Sequence, residues 1–204
     1  MTNIRNSTSP NRKLLVTVIV TLVIVLLAGS IGYFTYHKMK MAKIAKSGLV
    51  YYEVFQALDQ NRLDVAQEKL KEMSDDQDNY NAASMIQKAT IMEANNELGE
   101  AMALYSKIED MPSVAAYIKE AAFLKKLALK LYHSKDQVSE ADIIKLQNLT
   151  KSGVFKYSAM EMLGYAYIRN NLNQYAKEVL ESLINDPDAP TYLVERNRLI
   201  VTIL

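Results

Sequence analysis

The sequence predicts an all-α protein: one N-terminal helix apolar and long enough to cross a membrane, then a solenoid of packed helix pairs. Three observations carry this. Residues 14–34 read LLVTVIVTLVIVLLAGSIGYF without a charge. The 204 residues include only 6 Gly and 4 Pro, too few for the turns of a many-stranded sheet. Small and large apolar residues recur at helical offsets, in groups spaced about a repeat length apart.

The apolar run comes first. As a helix it spans roughly 31 Å, against about 30 Å of hydrocarbon in a bilayer. Tyr33 and Tyr36 fall where interfacial aromatic side chains sit. A cleaved signal peptide competes with this reading, because Ala28-Gly29-Ser30 is a passable cleavage site. The run continues past it to Phe34, and Lys38, Lys40, Lys43 and Lys46 would then crowd the new terminus, so an uncleaved anchor is expected. With no Cys anywhere, lipoprotein, disulfide and thiolate chemistry are excluded. Charge does not orient the span: Arg5, Arg12 and Lys13 with the α-amino group precede it, and four Lys follow.

Charge divides the chain. Residues 1–52 carry seven basic side chains and no acid, while the remainder carries 17 basic and 23 acidic ones. The basic flanks suit lipid headgroups. The acidic remainder is a poor partner for nucleic acid, whose phosphates dominate binding. The organisation read from this is a short basic tail (1–13), a transmembrane helix (14–34), a basic membrane-proximal helix (35–47) and a helical-repeat domain (48–204). The membrane helix is expected to run on into residues 50–60.

Within the repeat domain, the last copy is the clearest. Met160-x-x-Leu163-Gly164-x-x-Tyr167 precedes Ala176-x-x-x-Leu180 and then Pro187. Gly164 and Ala176 are small where two helices would cross. Leu163, Tyr167 and Leu180 would fill the space around them, and Pro187 stops the second helix. Upstream, Leu63, Ala66, Leu70 and Met73 share their offsets with Leu98, Ala101, Tyr105 and Ile108. Ala66 precedes Ala101 by 35 residues, and Ala101 precedes Ala176 by 75, an interval that Ala141 divides as 40 and 35. The extra residues fall at 133–139, before the capping pattern Ser139-x-x-Asp142. This third repeat is irregular, with Lys145 where a large apolar residue is expected. The pairs are thus predicted at about 48–75, 79–110, 113–151 and 154–186, with a capping helix opening at Pro190-Thr191. The pattern resembles the tetratricopeptide repeat.

Reactive chemistry is sparse. His37 lies in the basic flank, and His133 falls at a helix end, where its charge would favour the dipole. Asp75, Asp76 and Asp78 lack the Gly and the distal Glu of a calcium loop and read as a solvated helix end, as do Asp186 and Asp188. No nucleophile, phosphate-loop or metalloprotease motif occurs. The sequence therefore predicts no catalytic residues, metal, cofactor or small-molecule substrate. Projecting the repeat pattern puts Tyr51, Phe55, Glu93, Tyr165 and Arg169 on a concave groove, where Tyr and Arg favour partner binding; ordinary packing between repeats would use the same positions. Met85, Met92, Met102, Met160 and Met162 read as core filler, although Met also suits adaptable grooves.

The full layout resembles the YfgM-type ancillary subunits of the bacterial Sec translocon, over about residues 14–204. Residues 152–204 carry it best, with Leu163-Gly164-Tyr165-Ala166 and Gln174-Tyr175-Ala176. Asn79-Tyr80-Asn81-Ala82-Ala83-Ser84 also opens a helix as in that family. The resemblance implies a single-pass inner-membrane protein held in lipid by residues 14–34, with its N-terminus cytoplasmic and its domain periplasmic. It implies association with Sec translocon subunits and periplasmic chaperones, and no catalysis; the repeat pattern with its projected Tyr51, Phe55 and Tyr165 separately suggests a groove for unfolded or extended polypeptide. Related cell-division and cell-envelope scaffolds share such a domain, so that role stays open.

Overall fold

A computed structural model of the chain describes residues 10–72 and 78–204, with side chains from residue 14 onward. The basic tail of residues 1–9, the side chains of Arg12 and Lys13, and Met73, Asp75 and Asp76 lie outside the described residues. Nine α-helices and no strand occur among the described residues: α1 (Pro10–Asp59), α2 (Leu63–Lys71), α3 (Asn79–Ala94), α4 (Leu98–Asp110), α5 (Ala116–His133), α6 (Glu140–Ser152), α7 (Lys156–Arg169), α8 (Asn173–Asn185) and α9 (Thr191–Val201). The chain forms two compact units, divided between Lys46 and Ser47 within α1.

The first unit takes in α1 as far as Lys46, its apolar run and the basic stretch after it. Its most apolar window has a mean hydropathy of 2.9 and no buried residue, so this helix is long and apolar enough to cross a membrane. Its hydroxyls suit a medium without water. Thr21 donates to the Thr17 carbonyl at 2.9 Å, Ser30 to Leu26 at 2.6 Å and Thr35 to Ile31 at 2.9 Å. Each of these three bonds its own helix, so its donor does not have to be satisfied by lipid.

In the second unit the helices pair. Asn61, Asn96 and Asn171 adopt left-handed φ of 56°, 65° and 59°. Asn tolerates that region where other L-residues are strained. Each reverses the chain two residues past the end of a helix. The amide after it donates back to the carbonyl five residues earlier: Arg62 to Ala57, Glu97 to Met92 and Leu172 to Tyr167, each at 2.8 Å. These are the paired bonds of a Schellman-type helix end. Five residues after each Asn stands the small residue of the second helix, Ala66, Ala101 or Ala176, and all three are fully buried.

The tightest crossing joins α7 to α8. A Cβ added to Gly164 would lie 2.5 Å from Leu180 Cδ2 and 2.6 Å from Leu180 Cγ. Leu180 is fully buried, Leu163 is 3% exposed and Tyr167 8%. The core is not one globule but a succession of clusters. One joins α1 and α2 to Ile91, one joins α3, α4 and α5, one joins α5, α6 and α7 to Ala176 of α8, and a last one joins Met160, Leu183 and Leu193. Each cluster draws mainly on helices close along the chain, as in a solenoid.

The third pair departs from the pattern, and Ala141 corrects the expected register. It is exposed and makes no crossing. The fully buried residue of α6 is Leu146. Four positions before it stands Asp142, where Ala66, Ala101 and Ala176 stand four before Leu70, Tyr105 and Leu180. A carboxylate cannot enter a dry crossing without a large desolvation cost; Asp142 instead meets Lys130 at 3.3 Å. Close backbone approach therefore joins α3 to α4, α4 to α5, α6 to α7 and α7 to α8, but not α5 to α6. Large side chains span that gap: Phe123, Leu127 and Leu146 share one cluster. Lys145 lays its ammonium 4.1 Å from the centre of the Phe123 ring and pairs with Glu109, which also binds Lys126. An apolar residue was expected there; the long Lys stem and a cation–π contact take its place.

The two glycines make a matched test of the crossing. Gly164→Ala should lower stability by about 1–2 kcal/mol, because overpacking exceeds the helix-propensity gain of Ala. Gly99→Ala, with nothing within 4 Å of the added Cβ, should be neutral or stabilising. Urea midpoints of the full chain in mild detergent measure both; equal midpoints would show that α7 and α8 do not meet at Gly164.

Candidate functional site

α7 carries two kinds of residue on two faces. Leu163, Gly164 and Tyr167 turn toward the core and α8. Met162, Tyr165 and Arg169, spaced i, i+3 and i+7, line a second face with Ile168. Opposite them stand Ala128, Leu131 and Tyr132 of α5, and the two helices enclose a cleft of about 310 Å³. Tyr132 is 87% exposed at its rim. The lining is mostly apolar, with two phenols and one guanidinium, so it suits apolar and aromatic contact rather than bond-making chemistry. Among the described residues no three His, Cys, Asp or Glu side chains gather as metal ligands.

The polar groups of the cleft are held from behind. Arg169 donates to the main-chain carbonyls of Leu131 and Ser134, covering the C-terminal end of α5 with a positive charge. Beside it, Asn170 accepts from the Val138 amide at 2.8 Å and donates to the Val138 carbonyl at 2.9 Å. The irregular link between α5 and α6 is thus shaped by the end of α7. Tyr165 donates its hydroxyl to Glu161 Oε1 at 3.0 Å. Burial, and then the Glu161 carboxylate, push the Tyr165 phenol up to about 12.

The five groove residues named from sequence do not converge. Tyr165 and Arg169 meet in this cleft. Tyr51 is half-buried against Tyr80, with ring centroids 6.2 Å apart, and Phe55 is 53% exposed on α1. Glu93 accepts a hydrogen bond from the Tyr105 hydroxyl on the next helix. Burial, with Glu93 adding to it, pushes that phenol well above its usual range. Sequence reasoning missed Ala128 and Tyr132. Their i, i+4 spacing on a helix was visible, but the polar link after His133 hid which face they occupy. Met162, read as core filler, does pack against the core and also lines the cleft. A smaller cleft, of about 210 Å³, lies between α2 and α3, with Leu70, Ile91 and Met92 between Lys71 and Lys88.

The other singled-out residues have structural positions. Asp78 caps α3 by accepting from the Asn81 amide at 2.8 Å, and Ser139 caps α6 by accepting from Asp142 at 3.2 Å. Asp186 accepts from Lys156 at 2.9 Å and from the Asp188 amide at 3.0 Å. His133 is exposed at the end of α5, and His37 lies on α1 with its ring 6.1 Å from that of Tyr33.

A family model described as a tetratricopeptide repeat-like domain matches residues 14–195. Comparison with curated proteins and comparison with solved structures return no match.

Two raised phenols make the fold sensitive to alkaline pH. Free Tyr ionises near pH 10. Folded Tyr105 and Tyr165 hold their protons to higher pH, so the unfolded chain releases protons that the folded chain keeps. Their stabilisation is full below pH 10 and declines as pH rises from 10 through 12. Urea midpoints at pH 8 and pH 11 should therefore differ, and Tyr165→Phe should narrow the difference; an unchanged difference would show that the phenol is not protected.

Proposed function

The chain belongs to the tetratricopeptide repeat-like domain family, and from that premise we propose that it is a membrane-tethered, non-catalytic binding module whose α5–α7 cleft takes extended polypeptide. Domains of this family are generally protein–protein interaction modules. The observation that carries the assignment to this cleft is the ring of Tyr132, 87% exposed beside an apolar lining and touched edge-on by the His133 ring at 5.3 Å. Aromatic side chains offer large contact area at low entropy cost, which makes them frequent anchors of binding energy. Apolar residues of an extended chain, set between Tyr132 and Tyr165, would cover Leu131, Met162 and Ile168.

The finer reading is an accessory of the Sec translocon that links it to periplasmic chaperones. It is a single-pass inner-membrane protein with a cytoplasmic N-terminus. This reading rests on the resemblance of residues 14–204 to YfgM-type subunits. A span at residues 14–34 raises the effective concentration of the cleft near emerging chains and compensates for weak affinity. The second reading, a cell-envelope or cell-division scaffold, is favoured by one surface: Tyr192, Leu199 and Ile203 are 64%, 72% and 83% exposed at α9 and just beyond it. Stable assembly would bury such a stripe.

Photoreactive residues placed at Tyr132 and, separately, at Leu199 of the full chain in native membranes separate these readings. Adducts from position 132 with translocon subunits, chaperones or nascent chains are expected. Adducts from position 199 with division or wall proteins would favour the scaffold. Silence at 132 with adducts at 199 would remove the cleft from the account. Tyr132→Ala should weaken partner binding by about 1–2 kcal/mol and leave melting unchanged.

A further inference from the structure

Behind the cleft lies a buried carboxylate whose donors come from two helices. Glu161, on α7, is 3% exposed. Its Oε1 accepts from Tyr165 Oη at 3.0 Å, from Arg196 Nε at 2.8 Å and from Asn197 Nδ2 at 2.8 Å. Its Oε2 is bonded by Arg196 Nη2. Arg196 and Asn197 belong to α9. Asn197 is fully buried and also donates to the Leu193 carbonyl at 2.9 Å, which fixes its amide within α9. One carboxylate oxygen thus serves a phenol that lines the cleft and two side chains of the last helix. A carboxylate oxygen has about two lone-pair sites. Three donors saturate it, so the position of each depends on the other two.

We propose that Glu161, Arg196 and Asn197 are positioning residues for the cleft: through the shared oxygen, the seating of α9 sets the orientation of the Tyr165 ring and with it the affinity for extended polypeptide. The inference rests on the reading of the α5–α7 cleft as the binding site and specifies how that site is regulated. When α9 is seated, the bidentate Arg196 bond holds the Glu161 carboxylate in one orientation. Tyr165, four residues further along the same helix, is pinned to it. When α9 shifts, Glu161 loses its guanidinium, and a carboxylate left without its donors turns toward water rather than stay unpaired in a dry site. Tyr165 then loses its acceptor and the ring is free to leave its rotamer. The coupling is reciprocal by thermodynamic necessity: a ligand that needs Tyr165 in place also favours seated α9. A partner gripping the exposed Leu199 and Ile203 side of α9 would act on the cleft by this route.

Arg196 tests the inference, since its side chain is 54% exposed and lies outside the cleft lining. The full chain in nanodiscs is titrated with a fluorescein-labelled, reduced and carboxymethylated unfolded polypeptide, read by anisotropy. Tyr132→Ala should weaken binding at least threefold, which checks the cleft itself. Arg196→Ala should weaken it by about threefold to tenfold, and Arg196→Lys, which keeps the charge, should recover part of the loss. Tyr165→Phe keeps the ring and removes the bond to Glu161; it should reproduce the loss, and adding Arg196→Ala to it should cost nothing more. Arg196→Lys and Tyr165→Phe keep the test valid if Arg196→Ala unfolds. If Tyr132→Ala binds as well as the parent, the cleft reading fails. If Tyr132→Ala weakens binding but Tyr165→Phe does not, or the Arg196 and Tyr165 losses simply multiply, the cleft stands and the coupling through Glu161 is overturned.

Discussion

The repeat domain depends on how closely two helix backbones approach. At the α7–α8 crossing no side chain separates Gly164 from Leu180, and a single added methyl would collide with a fully buried residue. Close approach brings flanking side chains into dense contact, and each buried Leu or Tyr there contributes on the order of 2 kcal/mol by leaving water. The Asn reversals prepare this geometry. A left-handed residue followed by a bond five residues back returns the chain antiparallel within one turn, so the small residue five positions later arrives opposite its partner helix.

In the third pair the small residue is missing. Asp142 occupies its position, α5 and α6 stay apart, and the space is filled by Phe123, Leu127 and Leu146. Without a tight Asn turn, the link needs other support. Arg169 and Asn170 supply it from the next pair, bonding Leu131, Ser134 and Val138. The same bonds hold the end of α5 beside α7, which is where the cleft opens. Irregularity in the repeat and the position of the candidate site therefore have one cause.

Charge plays two distinct roles. Exposed pairs such as Lys69 with Glu53 and Glu72 are screened by water and add little to stability. Glu161 differs. It is buried, and an ionised carboxylate there is tolerated only because three side chains donate to it. Such a group specifies one arrangement of α7 and α9, since any other leaves the charge unpaired.

Much of this was legible in the sequence because it is local. A charge-free run of membrane length, Ala and Leu at helical offsets, and the Ser139 cap each depend only on residues near one another along the chain. The 35-residue interval then implies stacked pairs. The third register was misjudged for a local reason too: Ala141 looks like a crossing residue, and only the packing shows that Leu146 is buried and Asp142 holds the crossing position. The candidate site was half legible. Tyr165 and Arg169 follow from their place in the best repeat, but Tyr132 does not, because its face depends on how far apart α5 and α6 settle. The bonds that shape the cleft join Arg169 to Leu131, Asn170 to Val138 and Glu161 to Arg196, residues 38, 32 and 35 apart. The sequence by itself determined the helices, their pairing and the membrane-length span, since periodicity and turn chemistry act through near neighbours. Only the tertiary structure decided where the cleft opens and what holds it, because a hydrogen bond between distant helices requires both ends to be placed within about 3 Å by all the packing between them.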